Sequence, residues 1–220
     1  MTGVKGLLQE KDHVFLDFDG PVCDVFARLT ASEVAERLKH LVGPDLPAEV
    51  SASADPFDVL RYAASCGPNA ARVVERQFSR LEGEAVAQIH PAPGVAEVLR
   101  EWHAQGFTVT IVSNNSVDAI RSFLGMHELA EHVRRISART TSAPAHLKPH
   151  SALLDAAVKA LGTSPGKCVM VGDSAADVLA ARAAGVASIA LATTSAKRRA
   201  LAALGPDALV ASLTDLRLAP

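Results

Sequence analysis

Short apolar runs alternate with helix-spaced apolar positions along most of the chain, and one long stretch breaks the alternation. Val14, Phe15 and Leu16 read as a buried strand, closed by a turn at Gly20 and Pro21. Phe26, Leu29, Val34, Leu38 and Leu41 then recur at helical spacing, which predicts a helix over Val25 to Leu41 that ends near Gly43 and Pro44. A polar stretch follows from Pro47 to Ala54. Asp55 and Pro56 read as the N-cap and first residue of a helix through Ala64. Gly67 and Pro68 close that helix and open another over Asn69 to Ile89. No strand is predicted between Val22 and Ile89, so this block reads as a small all-helical bundle inserted between strands.

The stiff segment His90 to Gly94 marks the return, and from there helix and strand alternate. Helices are predicted over Val95 to Gln105, Asp118 to Leu124, Ser151 to Leu161, Ala175 to Ala184 and Lys197 to Leu204. Strands are predicted over Phe107 to Val112, Val133 to Ser137, Cys168 to Val171, Ala187 to Ala192 and Ala208 to Val210. Such alternation means an α/β fold with parallel strands and helices on both faces. Ligands of such sheets sit beyond the carboxyl ends of the strands.

Composition narrows the classes. With 220 residues, about half of them hydrophobic, the chain can bury one sizeable core. A formal charge of -2 offers no basic footprint for nucleic acid. The one dense basic run, Lys197-Arg198-Arg199, reads as a solvated helix face. Cys23, Cys66 and Cys168 are odd in number and widely spaced, which argues against a disulfide framework or a zinc knuckle. Cys168 reads as a buried small hydrophobe, and no base beside Cys23 marks it as a nucleophile. The segment Met1 to Gly6 lacks the apolar core of a signal peptide, and no stretch has the length of a membrane span. The expected location is the reducing cytoplasm.

The chemistry lies at the predicted strand tips. The first strand ends in Asp17 and Asp19, whose spacing puts both side chains on one side of the backbone if it stays extended that far. Two acids this close suit a cation, because like charges resist ionising together. The second strand ends in Ser113-Asn114-Asn115, and Cys168 to Val171 ends in Gly172-Asp173-Ser174-Ala-Ala-Asp177. Between them stands Lys148-Pro149, with the proline expected at the first position of the next helix. Each residue alone has an ordinary reading as a cap, turn or loop residue. Their joint order at one sheet edge has none.

In Asp17-Phe-Asp19-Gly20, Ser113 after an apolar strand, Lys148 before a helix, and Gly172-Asp173-Ser-Ala-Ala-Asp177, the chain resembles the haloacid dehalogenase-like superfamily of aspartyl phosphohydrolases. The resemblance spans about Val14 to Ala192. It implies a doubly wound, Rossmann-like parallel sheet core over residues 1–21 and 90–220, with an inserted all-helical cap domain over 22–89. It implies Asp17 as nucleophile, forming an aspartyl-phosphate, and Asp19 as general acid and then base. Mg2+ would be held by Asp17, the Asp19 backbone carbonyl and Asp173. Ser113, Asn114, Lys148 and Gly20 would bind the phosphate, with backbone N–H groups near Phe18, Asp19 and Asn114 completing the cradle, and Asp177 would support Lys148 or a metal-bound water. Pro21 departs from the family pattern, in which Thr is common there.

The implied activity is Mg2+-dependent hydrolysis of a small phosphorylated metabolite. Phosphoglycolate, a sugar phosphate or a nucleotide monophosphate would each be admissible, and the chain is expected to be a monomer or homodimer. A phosphomutase of the same superfamily and a non-catalytic small-molecule sensor are the alternatives. Arg28, Arg61, Arg72 and Arg76 are candidate contacts to a second anionic group on the substrate. His90, His146 and His150 lie near expected site edges, and Trp102 and Tyr62 read as packing residues. The segments Pro21 to Asp24 and His90 to Gly94 are the expected hinges.

Overall fold

The computed structural model describes residues 4–140 and 143–218. Six parallel strands form one sheet: β1 (His13–Leu16), β2 (Thr108–Ser116), β3 (Arg135–Arg139), β4 (Cys168–Gly172), β5 (Ala187–Leu191) and β6 (Ala208–Val210). Their order across the sheet is β3-β2-β1-β4-β5-β6. The chain therefore winds outward from β1 in one direction, returns, and winds outward in the other. The order reverses at β1, and the crevice beyond its carboxyl end is where such a sheet receives a ligand.

The helices are α1 (Val4–Gln9), α2 (Ala31–Val42), α3 (Ala48–Ala52), α4 (Pro56–Cys66), α5 (Pro68–Val86), α6 (Val95–Ala104), α7 (Val117–Met126), α8 (Ala152–Leu161), α9 (Ala175–Ala183) and α10 (Ser195–Ala202). Alternation along β1 distributes its side chains between two layers. Val14 and Leu16 join the cluster that holds Leu99 and Trp102 of α6 and Phe123 of α7. Phe15 points the other way, with Leu154 of α8 and Ala180 of α9. Burial on both faces explains why β1 and β4 are apolar almost throughout. Helices α2 to α5 lie between β1 and β2, and their apolar residues Leu38, Leu60 and Phe78 are continuous with the α6–α7 cluster. The two connections to this insertion run side by side, with the Ala92 N–H donating to the Val22 carbonyl at 2.8 Å.

Several boundaries differ from expectation. The helix expected from Val25 begins only at Ala31, because Thr30 and Glu33 form a reciprocal capping box. Val25 and Leu29 are buried all the same, so their apolar spacing reflects packing of a turn. The polar stretch after Pro47 contains the short helix α3, and α1 precedes the first strand. β2 runs on to Ser116, with a register irregularity between Ser113 and Ser116. β3 starts two residues later than expected. Pro149 does not open a helix: 149–151 is a turn and α8 starts at Ala152. Among the described residues no helix is long and apolar enough to cross a membrane.

Candidate active site

The backbone is not extended as far as Asp19. β1 ends at Leu16, and the chain curls so that the Val22 and Cys23 N–H groups both donate to the Phe18 carbonyl. Gly20 stands at φ +98, and a Cβ there would lie 2.3 Å from Asp173 Oδ2. Gly20 is thus required by the close approach of the first acidic loop to the second. Gly172 has the same function against Asp177, whose Cγ would lie 2.3 Å from an added Cβ.

Asp17 and Lys148 meet at the tip of β1. Lys148 is 4 % exposed, and its Nζ lies 2.8 Å from Asp17 Oδ1, 2.5 Å from Asp177 Oδ1 and 2.9 Å from the Val112 carbonyl. All three of its protons are therefore committed. Burial works against the ammonium, but Asp17 and Asp177 outweigh it and raise its pKa. Burial and the neighbouring Asp177 push the Asp17 carboxyl upward, against Lys148 and the Phe18 N–H. Burial likewise opposes ionisation of Asp177, yet Lys148 and two bonds from Ser174 hold it below the usual carboxylate range.

The structure also brings Asp173 to this point. One carboxylate oxygen each from Asp17, Asp173 and Asp177 lies within 4.8 Å of the others. The Asp19 carboxyl is turned aside, with Oδ1 accepting from the Val25 N–H at 2.9 Å. Burial pushes its pKa up to about 6, against that bond and with help from Asp173, Asp24 and Glu82.

Ser113 ends the regular part of β2, next to Val112, whose carbonyl receives Lys148. Ser113 is 1 % exposed, and its Oγ donates to Asn115 Oδ1 at 3.0 Å. The Asn114 side chain holds the lysine loop: Oδ1 accepts from the Lys148 N–H at 2.8 Å, and Nδ2 donates to the Lys148 carbonyl at 3.0 Å.

A family model described as haloacid dehalogenase-like hydrolase matches residues 11–185. The chain belongs to that family. Its relatives include a phosphoglycolate phosphatase of Vibrio vulnificus, 28% identical over 80% of this chain and 72% of the relative. They also include the pyrophosphatase PpaX of Bacillus cereus, 30% identical over 64% of this chain and 63% of the relative, so less than two thirds of that protein is spanned. The crystal structure of CbbY from Rhodobacter sphaeroides in complex with phosphate superposes with a TM-score of 0.71 at 18% identity, over 94% of this chain and 96% of that one. At that identity the likeness establishes the fold.

The donor set of this family member fits a divalent cation. Asp17, Asp173 and Asp177 set three carboxylates against two ammoniums, Lys148 and Lys197, which leaves an excess of one negative charge when all are ionised. Hard carboxylate oxygens are the ligands such an ion takes. Lys197 corrects the reading of its basic run as a solvated helix face. It lies in the first turn of α10, half-buried and ion-paired with Asp173, whereas Arg198 and Arg199 are exposed.

Among the described residues, no hydrogen bond or ion pair ties the other candidates to this constellation. Arg61 pairs with Asp55 and Asp58, and Arg72 bonds Asn69. Arg72 and Arg76 line an open groove with Thr140, and Arg28 is exposed. His90 packs on His127, the His150 ring accepts from the Ala152 N–H, and His146 is exposed. Trp102 is fully buried and donates to the Leu216 carbonyl. Burial holds the Cys23 thiol protonated, far above its usual range.

Three buried residues escape sequence patterning: Asn115, Glu82 and Arg139. Glu82 alone carried a signal, as a charge on the apolar stripe Val74, Phe78, Leu81, Ala85 of α5.

Proposed function

We propose that the chain is a Mg2+-dependent phosphatase that hydrolyses a small phosphate monoester through an aspartyl-phosphate on Asp17. The observation that carries this reading is the buried Lys148 ammonium, which sits 2.8 Å from Asp17 Oδ1 and against the Val112 carbonyl, one residue before Ser113. A lysine there neutralises the attacking carboxylate and can follow negative charge as it moves onto the phosphoryl oxygens.

In this reading Asp17 and Asp173 supply carboxylates, and Asp19 its carbonyl, to the cation. When bound, that cation offsets the repulsion between Asp17 and a phosphate dianion. The Asp17 carboxylate attacks phosphorus, the ester P–O bond breaks, and the departing alkoxide takes the Asp19 proton. The Asp19 carboxylate then removes a proton from water, which attacks the phosphoaspartyl phosphorus. The bond to Asp17 breaks, and inorganic phosphate leaves. Ser113 turns its hydroxyl from Asn115 to a phosphoryl oxygen, a neutral bond exchanged for a charge-assisted one. Residues 22–89 act as a cap over the strand tips, excluding water and shaping the leaving-group site, and the paired connections at Val22 and Ala92 are its hinge. Relatives named for phosphoglycolate and pyrophosphate hydrolysis support a small phosphorylated substrate.

A panel of phosphorylated metabolites, assayed for free phosphate with Mg2+ and with chelator, tests the reading. Metal-dependent release from at least one monoester is expected, and Asp17→Asn should abolish it. Absence of release from every monoester with metal present would overturn the reading.

A further inference from the structure

The inner face of α5 carries one fully buried charge, Glu82. A carboxylate at 0 % exposure needs donors, and it has three. Oε1 accepts from Asn115 Nδ2 at 3.0 Å; Oε2 accepts from the Ser116 N–H at 3.1 Å and from the Arg139 guanidinium. Arg139, at the end of β3, is 2 % exposed. It also pairs with Glu75, lies over the Phe78 ring, and donates from Nε to the Asn114 carbonyl at 2.9 Å. Asn114, Asn115 and Ser116 thus all hang on one ion pair contributed by α5 and β3.

From these bonds we infer that Glu82, a residue of the inserted helices, is a positioning residue for the phosphate-binding hydroxyl of Ser113, acting through Asn115. The inference rests on the phosphatase reading above. Its logic is one of donors and acceptors. A carboxylate only accepts, so Asn115 must turn its NH2 toward Glu82. The Asn115 carbonyl oxygen is then left facing Ser113, where it accepts from Oγ at 3.0 Å, while the Asn115 backbone N–H donates to the same Oγ at 3.3 Å. The Ser113 oxygen is thereby held from both sides before any phosphate arrives, and only its proton has to turn when one binds. No other orientation of the Asn115 amide satisfies both neighbours.

Glutamine at position 82 keeps the shape and breaks the logic. It has one oxygen for three donors. If that oxygen faces Asn115, its NH2 meets the Ser116 N–H and Arg139. If it faces them, its NH2 meets that of Asn115, which must turn and present donors to Ser113. A helix-to-sheet tie alone needs only Arg139 with Glu75 and Glu82, so the Asn115 link is the part that reaches the chemistry.

Steady-state kinetics on a phosphomonoester with Mg2+ tests this. Glu82→Gln should lower kcat/KM about 10- to 100-fold, the size expected when a reacting geometry is lost. Glu75→Gln weakens Arg139 without touching Ser113, Asn114 or Asn115. It should lower Tm yet leave kcat/KM within about threefold. Asn115→Ala keeps the Glu82–Arg139 pair and cuts the link, so it should reproduce the kinetic loss with little change in Tm, and it serves should Glu82→Gln not fold. In a Ser113→Ala background, Asn115→Ala should change kcat/KM by less than about threefold, because its target is gone. Wild-type kcat/KM in Asn115→Ala, or an undiminished loss in the Ser113→Ala background, overturns the inference while the phosphatase reading stands. No turnover by the wild type removes that reading and the inference with it.

Discussion

Replacing Lys148 by Met tests the electrostatic centre of the fold directly. The ammonium is 4 % exposed and touches two buried carboxylates, Asp17 and Asp177, at 2.8 and 2.5 Å. Methionine keeps the length and the apolar stem but leaves both carboxylates without their shared counter-charge. Removing one partner of a buried pair costs about 3–5 kcal/mol. Spread over a domain of this size, each kcal/mol shifts Tm by about 2–4 °C, so a drop of about 6–20 °C is expected. Exposed Lys159 provides the control, and Lys159→Met should stay within about 0.5 kcal/mol. The assay is thermal and urea denaturation in chelator, repeated in Mg2+. A cation at Asp17 and Asp173 should restore part of the loss, about 2.7 kcal/mol when the metal is at a hundredfold excess over its Kd. A loss below about 1 kcal/mol in chelator would refute the claim that Lys148 carries the charge balance of the site.

The remaining predictions concern the site's edges and the acid limb of stability. Gly20→Ala places a Cβ 2.3 Å from Asp173 Oδ2 at a φ of +98, so it should displace Asp173 and weaken Mg2+ binding measured by calorimetry; unchanged affinity would contradict the packing argument. Lys197→Met removes an ammonium that competes for Asp173, and should tighten Mg2+ binding about three- to tenfold; weaker binding would show that Lys197 orients Asp173 instead. Burial lowers the His13 pKa below 6.5, so the unfolded chain binds more protons between the lowered value and 6.5. Stability therefore falls as pH drops through that window, and His13→Gln should lose less Tm than wild type between about pH 7.5 and about pH 5.5. Parallel pH profiles for the two proteins would sink that assignment.

Much of the sheet is legible in the sequence because parallel strands are buried on both faces. Val14-Phe15-Leu16 and Cys168 to Val171 read as unbroken apolar runs, and the residues just past them can only lie at the sheet's carboxyl edge. That is why Asp17, Ser113 and Asp173 could be named as candidates. Lys148 could be named too, although the turn at 149–151 replaces the expected helix start. The helix start at Thr30 was written in Thr30 and Glu33, but apolar spacing at Phe26 and Leu29 runs across it. Glu82 and Arg139 stand 57 positions apart, and Lys197 and Asp173 stand 24 apart. Periodicity carries no information on such pairs, because they form only once the insertion and the far strands have packed. The Asn115 amide reads as one more loop residue until Glu82 is seen behind it.

The central claim is that Asp17 carries the phosphoryl group. Acid-quenching the protein during turnover of a phosphomonoester, then mapping phosphorylation by mass spectrometry, tests it most directly. One phosphoryl group on the peptide holding Asp17, lost in Asp17→Asn along with turnover, is the expected result. Turnover with the label on another residue, or wild-type turnover by Asp17→Asn, would contradict the account.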